Sequence, residues 1–226
     1  MKGLFGVLLP AAGSGTRFGR DKLSFPLCGK PVLWHTVSAF QAAESVGCIV
    51  IATRKENIEA VKSLTAEFSK VIAVTEGGQT RGESILRAME ALPVEVEYLS
   101  IHDAARPLIL PEEIDRIHGE AVRYGAVCAG TPVYSTVQRV DSEGFIIDTP
   151  DRNSLMAAAT PQAFSLALYK ESCAKTAGRN FTDDAGLVRA AGGRVKMIRC
   201  SEENIKITTP SDGTFAEEIL RRRLQK

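Results

Sequence analysis

Residues 8–19 read LLPAAGSGTRFG, an apolar run that breaks into a loop of small residues. Ala11, Ala12, Gly13 and Gly15 let the backbone come close to a ligand, and N–H groups in such a loop cradle a nucleotide or its phosphates. Arg17 and Lys22 follow, two cations beside that cradle. A dinucleotide fingerprint, G-x-G-x-x-G, needs glycine at position 18, where Phe18 stands, and Gly19 comes one place late. The second apolar run ends in Thr53-Arg54, without the acidic residue that holds a ribose in NAD proteins. The loop does not end in G-K-[ST], so it is not a P-loop either.

Two further motifs carry chemistry. In His102-Asp103-Ala104-Ala105-Arg106-Pro107, Asp103 falls at the end of a strand-like segment. A carboxylate there is placed to hold Mg²⁺ or a ribose, and the plainer alternative is a capping Asp paired with Arg106. His102 reads as a satisfied histidine at a sheet edge, and His35, His102 and His118 lack metal-ligand spacing. Residues 77–84, GGQTRGES, form a second glycine-rich loop entering a helix, where free N–H groups and the Ser84 hydroxyl can read a base edge.

The elements that must position these residues follow from periodicity. Residues 4–12, 48–52, 71–74, 98–101 and 126–129 are short apolar runs, the mark of strands buried on both faces. Between them lie helical spacings. Pro31 opens one with Leu33, Val37, Phe40 and Ala43; Ile58, Val61, Leu64, Thr65 and Phe68 mark another; residues 81–92 and 111–124 give two more. Strict βαβα alternation predicts a parallel sheet with helices on both faces, and ligands then bind beyond the carboxyl ends of the strands. The alternation breaks after Pro132, where residues 137–140 and 145–147 predict a hairpin around the turn 141–144. A lone hairpin is marginally stable, so it either folds back on its own domain or grips a second subunit. From residue 157 the alternation resumes, ending in a helix over 211–224. With no repeat or linker in view, the expectation is one domain, 1–226, with an excursion.

Composition narrows the classes. Lys plus Arg total 28 against 27 Asp plus Glu, a net charge of +1, which lacks the bulk field of a nucleic-acid binder. Five scattered cysteines without C-x-x-C argue against a disulfide framework or a zinc site and suit a reducing cytosol. The longest apolar runs fall far short of the about 20 residues a membrane span needs, and no signal peptide is evident. A cytoplasmic enzyme or small-molecule binder, without nucleic acid or membrane as partner, is expected.

Together the motifs PAAGSGTR, GGQTRGES, HDAARP, TPV, DRNSL, TPQAF, FTDDA and ENIKIT, in this order over nearly the whole chain, closely resemble the 2-C-methyl-D-erythritol 4-phosphate cytidylyltransferases of the non-mevalonate isoprenoid pathway. The resemblance implies a three-layer αβα fold, a mostly parallel Rossmann-like nucleotidyltransferase sheet with an extended β-hairpin arm over 133–152. It implies transfer of CMP from CTP, with Mg²⁺, to the polyol phosphate 2-C-methyl-D-erythritol 4-phosphate, giving 4-diphosphocytidyl-2-C-methyl-D-erythritol and pyrophosphate, in a homodimer joined through that arm. By matched position, Arg17 and Lys22 are the transition-state cations, while Arg152 and Lys206 grip the sugar phosphate. Ala11, Ala12, Gly13, Gly15, Gly78, Ser84, Asp103 and Ala104 correspond to the nucleotide site. Arg106, Thr136, Thr160 and Thr182 fall with Arg152 and Lys206 near the acceptor, and Asp103 is the metal ligand. The chain departs from the family after Lys22, where Leu23-Ser24-Phe25 replaces the usual glutamine and aromatic. Alternatives are a ribitol 5-phosphate cytidylyltransferase on the same scaffold, a catalytically silent nucleotide sensor, and, from the glycine loop alone, an NADP dehydrogenase.

Overall fold

The structure, a computed structural model, describes residues 4–13 and 22–225. Strand β1 (Phe5–Pro10) is followed by the two-residue strands β2 (Pro26–Leu27) and β3 (Lys30–Pro31). Then come α1 (Val32–Ala42), β4 (Val46–Thr53), α2 (Ile58–Thr65), β5 (Val71–Glu76), α3 (Arg81–Glu90), β6 (Tyr98–Ile101), α4 (Pro111–Tyr124) and β7 (Ala126–Pro132). The arm carries β8 (Arg139–Val140) and β9 (Ile146–Asp148). The chain finishes with β10 (Met156–Ser165), α5 (Leu166–Lys175), α6 (Asp184–Ala190), β11 (Lys196–Arg199) and α7 (Pro210–Leu224).

Among the described residues the main sheet has seven strands in the order β11-β7-β10-β6-β1-β4-β5. All neighbours are parallel except β10, which runs antiparallel to both β6 and β7. The alternation of side chains along β1 sends Val7 and Leu9 to one face and Leu8 to the other. Val7 and Leu9 pack with Leu33, Val37, Phe40, Val61 and Ile114 from α1, α2 and α4. Leu8 packs with Ile85, Tyr169 and Val188 from α3, α5 and α6. Both faces are covered, which is why the strands read as unbroken apolar runs.

The predicted elements differ in detail. β1 stops at Pro10, which has no N–H to donate; the Ala11 amide makes one last bond to the Ala52 carbonyl (2.7 Å), and residues 11–13 lie beyond the strand. Pro31 pairs with Pro26 and stands before α1 as its N-cap rather than inside its first turn. α7 starts one residue sooner than predicted, fixed by a capping box between Thr209 and Asp212. In the hairpin, the Asp141 carboxylate accepts from the amides of Glu143 (3.0 Å) and Phe145 (2.9 Å), and Gly144 takes the left-handed φ of 91° that the turn needs. Residues 134–149 are all exposed, including Tyr134, Val140, Phe145, Ile146 and Ile147. The hairpin does not fold back on its own sheet. No helix among the described residues is long and apolar enough to cross a membrane.

Candidate active site

Three loops leave the carboxyl ends of β1, β5 and β6 and meet in one cleft. Ala11, Ala12 and Gly13 come from the first, Gly78, Gln79 and Thr80 from the second, and Asp103, Ala104 and Ala105 from the third. Lys22 and Lys206 complete the wall. Arg17 and Gly15 lie outside the described residues.

The first two loops fit because of glycine. A methyl group on Gly77 would come 2.6 Å from the Ala12 Cβ and 2.9 Å from the Ser84 Oγ, so the second loop can lie against the first only without a side chain there. The Ser84 hydroxyl donates to the Thr80 carbonyl (3.0 Å) and accepts from the Gly78 amide (3.0 Å). Its proton is therefore committed, and what it offers the cleft is an acceptor lone pair. Glu83 secures the same loop, accepting from the Gln79 amide (2.8 Å) while its own amide donates to Thr80 Oγ1 (3.1 Å).

Asp103 is the one carboxylate lining the cleft among the described residues. Its Oδ2 takes Lys206 Nζ at 2.9 Å and Arg106 Nε at 3.3 Å; its Oδ1 faces Arg81 Nε at 3.8 Å. Burial pushes the carboxyl up, but Lys206, Arg106 and Arg81 outweigh it and hold it at about 2. Asp103 is thus ionised throughout the physiological range.

Behind it, His102 Nε2 meets the Arg106 carbonyl (3.1 Å) and Nδ1 meets Thr160 Oγ1 (3.1 Å). Since a carbonyl only accepts, Nε2 carries the proton and the Thr160 hydroxyl donates to Nδ1. Burial lowers the imidazole to about 4, so His102 is neutral, with both nitrogens used.

Several expected residues stand elsewhere. Thr160 is buried behind the cleft, its oxygen also accepting from the Asp103 amide (3.0 Å), so it supports the site rather than lining it. Arg106 is likewise a clamp, donating from Nη1 to the Asn204 carbonyl (2.7 Å) while paired with Asp103. Thr182 is exposed just before α6, outside the residues that line the cleft. Arg152 and Lys206, expected to act together, line different clefts of one chain. Arg152 lies at the base of the arm with Tyr134, Met197 and Arg199, donating to the Tyr134 carbonyl (2.9 Å), and Thr136 lies exposed on the arm.

Arg81 is the residue that sequence reasoning passed over. It bridges Asp103 to the buried Asp184, with Nη1 2.7 Å from Asp184 Oδ2, and Asp184 accepts from the Tyr169 hydroxyl (2.7 Å). A signal existed: Arg81 opens α3, where the helix dipole disfavours a cation, so a tertiary partner had to compensate.

A loop cradle, an ionised carboxylate and fixed cations, without a usable histidine base, suit transfer between phosphates. The comparisons agree. The model of the 2-C-methyl-D-erythritol 4-phosphate cytidylyltransferase family matches residues 5–222. A protein of that name from Synechococcus sp. (strain WH7803) is 41% identical over 221 residues, covering 96% of this chain and 99% of its own. One from Desulforamulus reducens is 39% identical over 224 residues, covering 96% of each chain. Among solved structures, the 4-diphosphocytidyl-2C-methyl-D-erythritol synthase of Anaerococcus prevotii superposes with a TM-score of 0.85 at 27% identity, covering 97% and 99% of the two chains. The 2-C-methyl-D-erythritol 4-phosphate cytidylyltransferase of Thermus thermophilus gives a TM-score of 0.78 at 30% identity, covering 98% and 100%.

Proposed function

The chain belongs to the 2-C-methyl-D-erythritol 4-phosphate cytidylyltransferase family, and from that premise we propose how its side chains divide the work of the transfer. The enzyme moves CMP from CTP to 2-C-methyl-D-erythritol 4-phosphate, giving 4-diphosphocytidyl-2-C-methyl-D-erythritol and pyrophosphate. A phosphate oxygen of the acceptor attacks the α-phosphorus, and the bond to the β-phosphate oxygen breaks. The nucleophile has a second pKa of about 6, so it arrives ionised and needs no base. The neutral, fully engaged His102 is the observation that carries this reading. What remains for the protein is alignment and neutralisation of charge at the pentacoordinate phosphorus.

In this reading Lys22 and Arg17 meet the charge that builds at the α-phosphate. The backbone of residues 11–13 and 78–79 cradles the nucleotide, and the spare lone pair of Ser84 accepts from the cytosine amino group, an interaction uracil cannot make. Lys206 holds the acceptor phosphate. Asp103 fits Mg²⁺ of the nucleotide-bound kind, which takes one or two carboxylates plus substrate phosphates, because among the described residues its Oδ1 meets only Arg81, at 3.8 Å. Bound there with CTP, the ion would neutralise phosphate charge. Among the described residues no group of three or more His, Cys, Asp or Glu makes a cage of protein ligands alone.

Residues 1–226 make one nucleotidyltransferase domain in this reading, with 133–152 as an arm that reaches a second copy and brings Arg152 and Thr136 to its acceptor site. The exposed apolar face of the arm and the separation of Arg152 from Lys206 within one chain support it. The five free thiols fit work in a reducing cytoplasm. Pyrophosphate release from CTP with methylerythritol 4-phosphate, ribitol 5-phosphate and erythritol 4-phosphate tests the acceptor assignment. The first should be turned over at the highest kcat/KM; equal efficiency with ribitol 5-phosphate would overturn it.

A further inference from the structure

Lys206 and Asp103 belong to separate loops, and their 2.9 Å contact at the cleft requires those loops to keep a fixed register. The backbone does part of this, since the Ile207 amide donates to the Ala105 carbonyl at 2.8 Å. The rest comes from outside the site. Arg223, in the last turn of α7, donates from Nε (3.1 Å) and Nη2 (2.7 Å) to Glu203 Oε2 and from Nη1 (2.9 Å) to the Leu108 carbonyl. Glu203 lies on the Lys206 loop and Leu108 on the Asp103 loop. One guanidinium therefore ties both loops to one helix. Arg222 adds a second contact to Glu203 Oε1, and hydrogen bonding from Arg223 keeps the Glu203 carboxyl below its usual range.

A cation in the last helical turn has a plainer explanation in the helix dipole. That explanation asks only for charge, whereas here a planar fork meets acceptors on two different loops, a task an ammonium cannot duplicate. Beneath the fork, Leu108, Ile207 and Ala216 are buried together, with Ile205 and Leu220 against them, so both loops also share an apolar seat on α7.

We propose that Arg223 is a positioning residue for the acceptor: it holds the Lys206 loop in register with the Asp103 loop, so that the Lys206 ammonium sits where the sugar phosphate must be held. This rests on the assignment of Lys206 to the acceptor phosphate made above. Misplacing a reacting group by about 1 Å can cost on the order of 10²-fold, so a contact far from the chemistry is able to matter.

The test is steady-state kinetics on the full-length enzyme, varying each substrate in turn, for Arg223→Gln, Arg223→Lys, Glu203→Gln, Lys206→Ala and the double variant of Lys206→Ala with Arg223→Gln. Arg223→Gln should raise KM for methylerythritol phosphate roughly tenfold and leave KM for CTP within about twofold. Arg223→Lys should not rescue it, because charge without the fork loses one loop. Glu203→Gln, at a partly exposed position, should move the same constant in the same direction and carries the test if Arg223→Gln does not fold. If Arg223 acts through Lys206, Arg223→Gln should add almost nothing to Lys206→Ala; independent effects would multiply. A multiplied loss, an equal rise in both KM values, or rescue by Arg223→Lys overturns the proposal. Should Lys206→Ala itself leave the acceptor KM unchanged, the assignment of Lys206 fails instead, which separates the two outcomes.

Discussion

Asp103 gathers Lys206, Arg106 and Arg81 around one carboxylate, and the charges at this point are not interchangeable. Arg106 is spent on the Asn204 carbonyl and Arg81 on Asp184, so Lys206 is the member of the three best able to turn to a substrate phosphate. Lys22 lines the other side of the cleft. The two lysines should then fail differently. The acceptor phosphate is fully charged in the ground state, so Lys206→Ala should chiefly raise KM for the sugar phosphate. Charge at the α-phosphorus grows only during transfer, so Lys22→Ala should lower kcat and kcat/KM together. Loss of a comparable donor to a developing charge costs about 10²–10³ in rate, and that order is expected for Lys22→Ala. Initial-rate measurements with each substrate varied decide it. A CTP-specific KM rise in Lys206→Ala would exchange the two pockets.

At the scale of elements, the loops that build the cleft were legible because glycine and strand ends announce them. The predicted and observed bounds of β6 and α4 coincide, and the stretch 77–84 does run from a loop into a helix, 77–80 linking β5 to α3 and 81–84 forming the first turn of α3. The direction and place of β10 were not legible. Its residues, MAAATPQAFS, mix small, polar and apolar types, and nothing in their order states that the strand reverses direction and inserts between β6 and β7. That insertion puts Thr160 behind His102, a contact across 58 positions that local patterns do not encode. The role of Leu23-Ser24-Phe25 also needed the fold. Leu23 and Phe25 pack against the cluster beneath α7, and a methyl on Gly213 would meet the Phe25 ring at 2.8 Å. In this chain the segment after Lys22 is seated by packing on α7. The glycine loop yields a sharper check. Gly77→Ala must push the second loop off Ala12 and Ser84 and widen the nucleotide side of the cleft. KM for CTP should rise about tenfold or more, equivalent to roughly 1.4 kcal/mol, with the acceptor KM little changed. An unchanged KM for CTP would show that the close approach of the two loops is dispensable.

For the whole molecule, the arm raises the question of where one active site ends. In the dimer reading each site takes Lys206 from one chain and Arg152 from the other. Arg152→Ala and Lys206→Ala homodimers should both be weak, whereas mixing and reannealing them gives heterodimers in which one site has both residues intact. Random pairing predicts recovery to about one quarter of wild-type activity. No recovery, with heterodimers demonstrated by mass, would confine the two residues to the same chain's site.

Stability should also depend on pH through two histidines remote from the solvent. His118 is fully buried, stacked on Phe5 at 3.8 Å, with Nδ1 on Ser45 Oγ (2.6 Å) and Nε2 on Ser100 Oγ (2.8 Å). Burial lowers it to about 3, and His102 to about 4. In the unfolded chain both titrate near 6.5, so below that pH the unfolded state takes up protons that the native state refuses. By linkage the native state then loses stability as pH falls. Integrated from pH 7 to 5.5, the loss is roughly 1.2 kcal/mol for each histidine. Burial also lowers the half-buried His35, which adds in the same sense, and holds the Asp184 carboxyl up, which works in the opposite one, while the lowered carboxyls of Asp103, Asp115 and Asp212 matter only nearer pH 4 and below. Urea denaturation at pH 7, 6.2 and 5.5 should therefore show a fall of about 2 kcal/mol in unfolding free energy. His118→Gln lowers stability at every pH but removes one of the titrating groups, so its slope should be distinctly shallower than that of the wild type. A flat wild-type profile, or a variant slope equal to the wild type's, would mean that His118 is protonated in the folded protein.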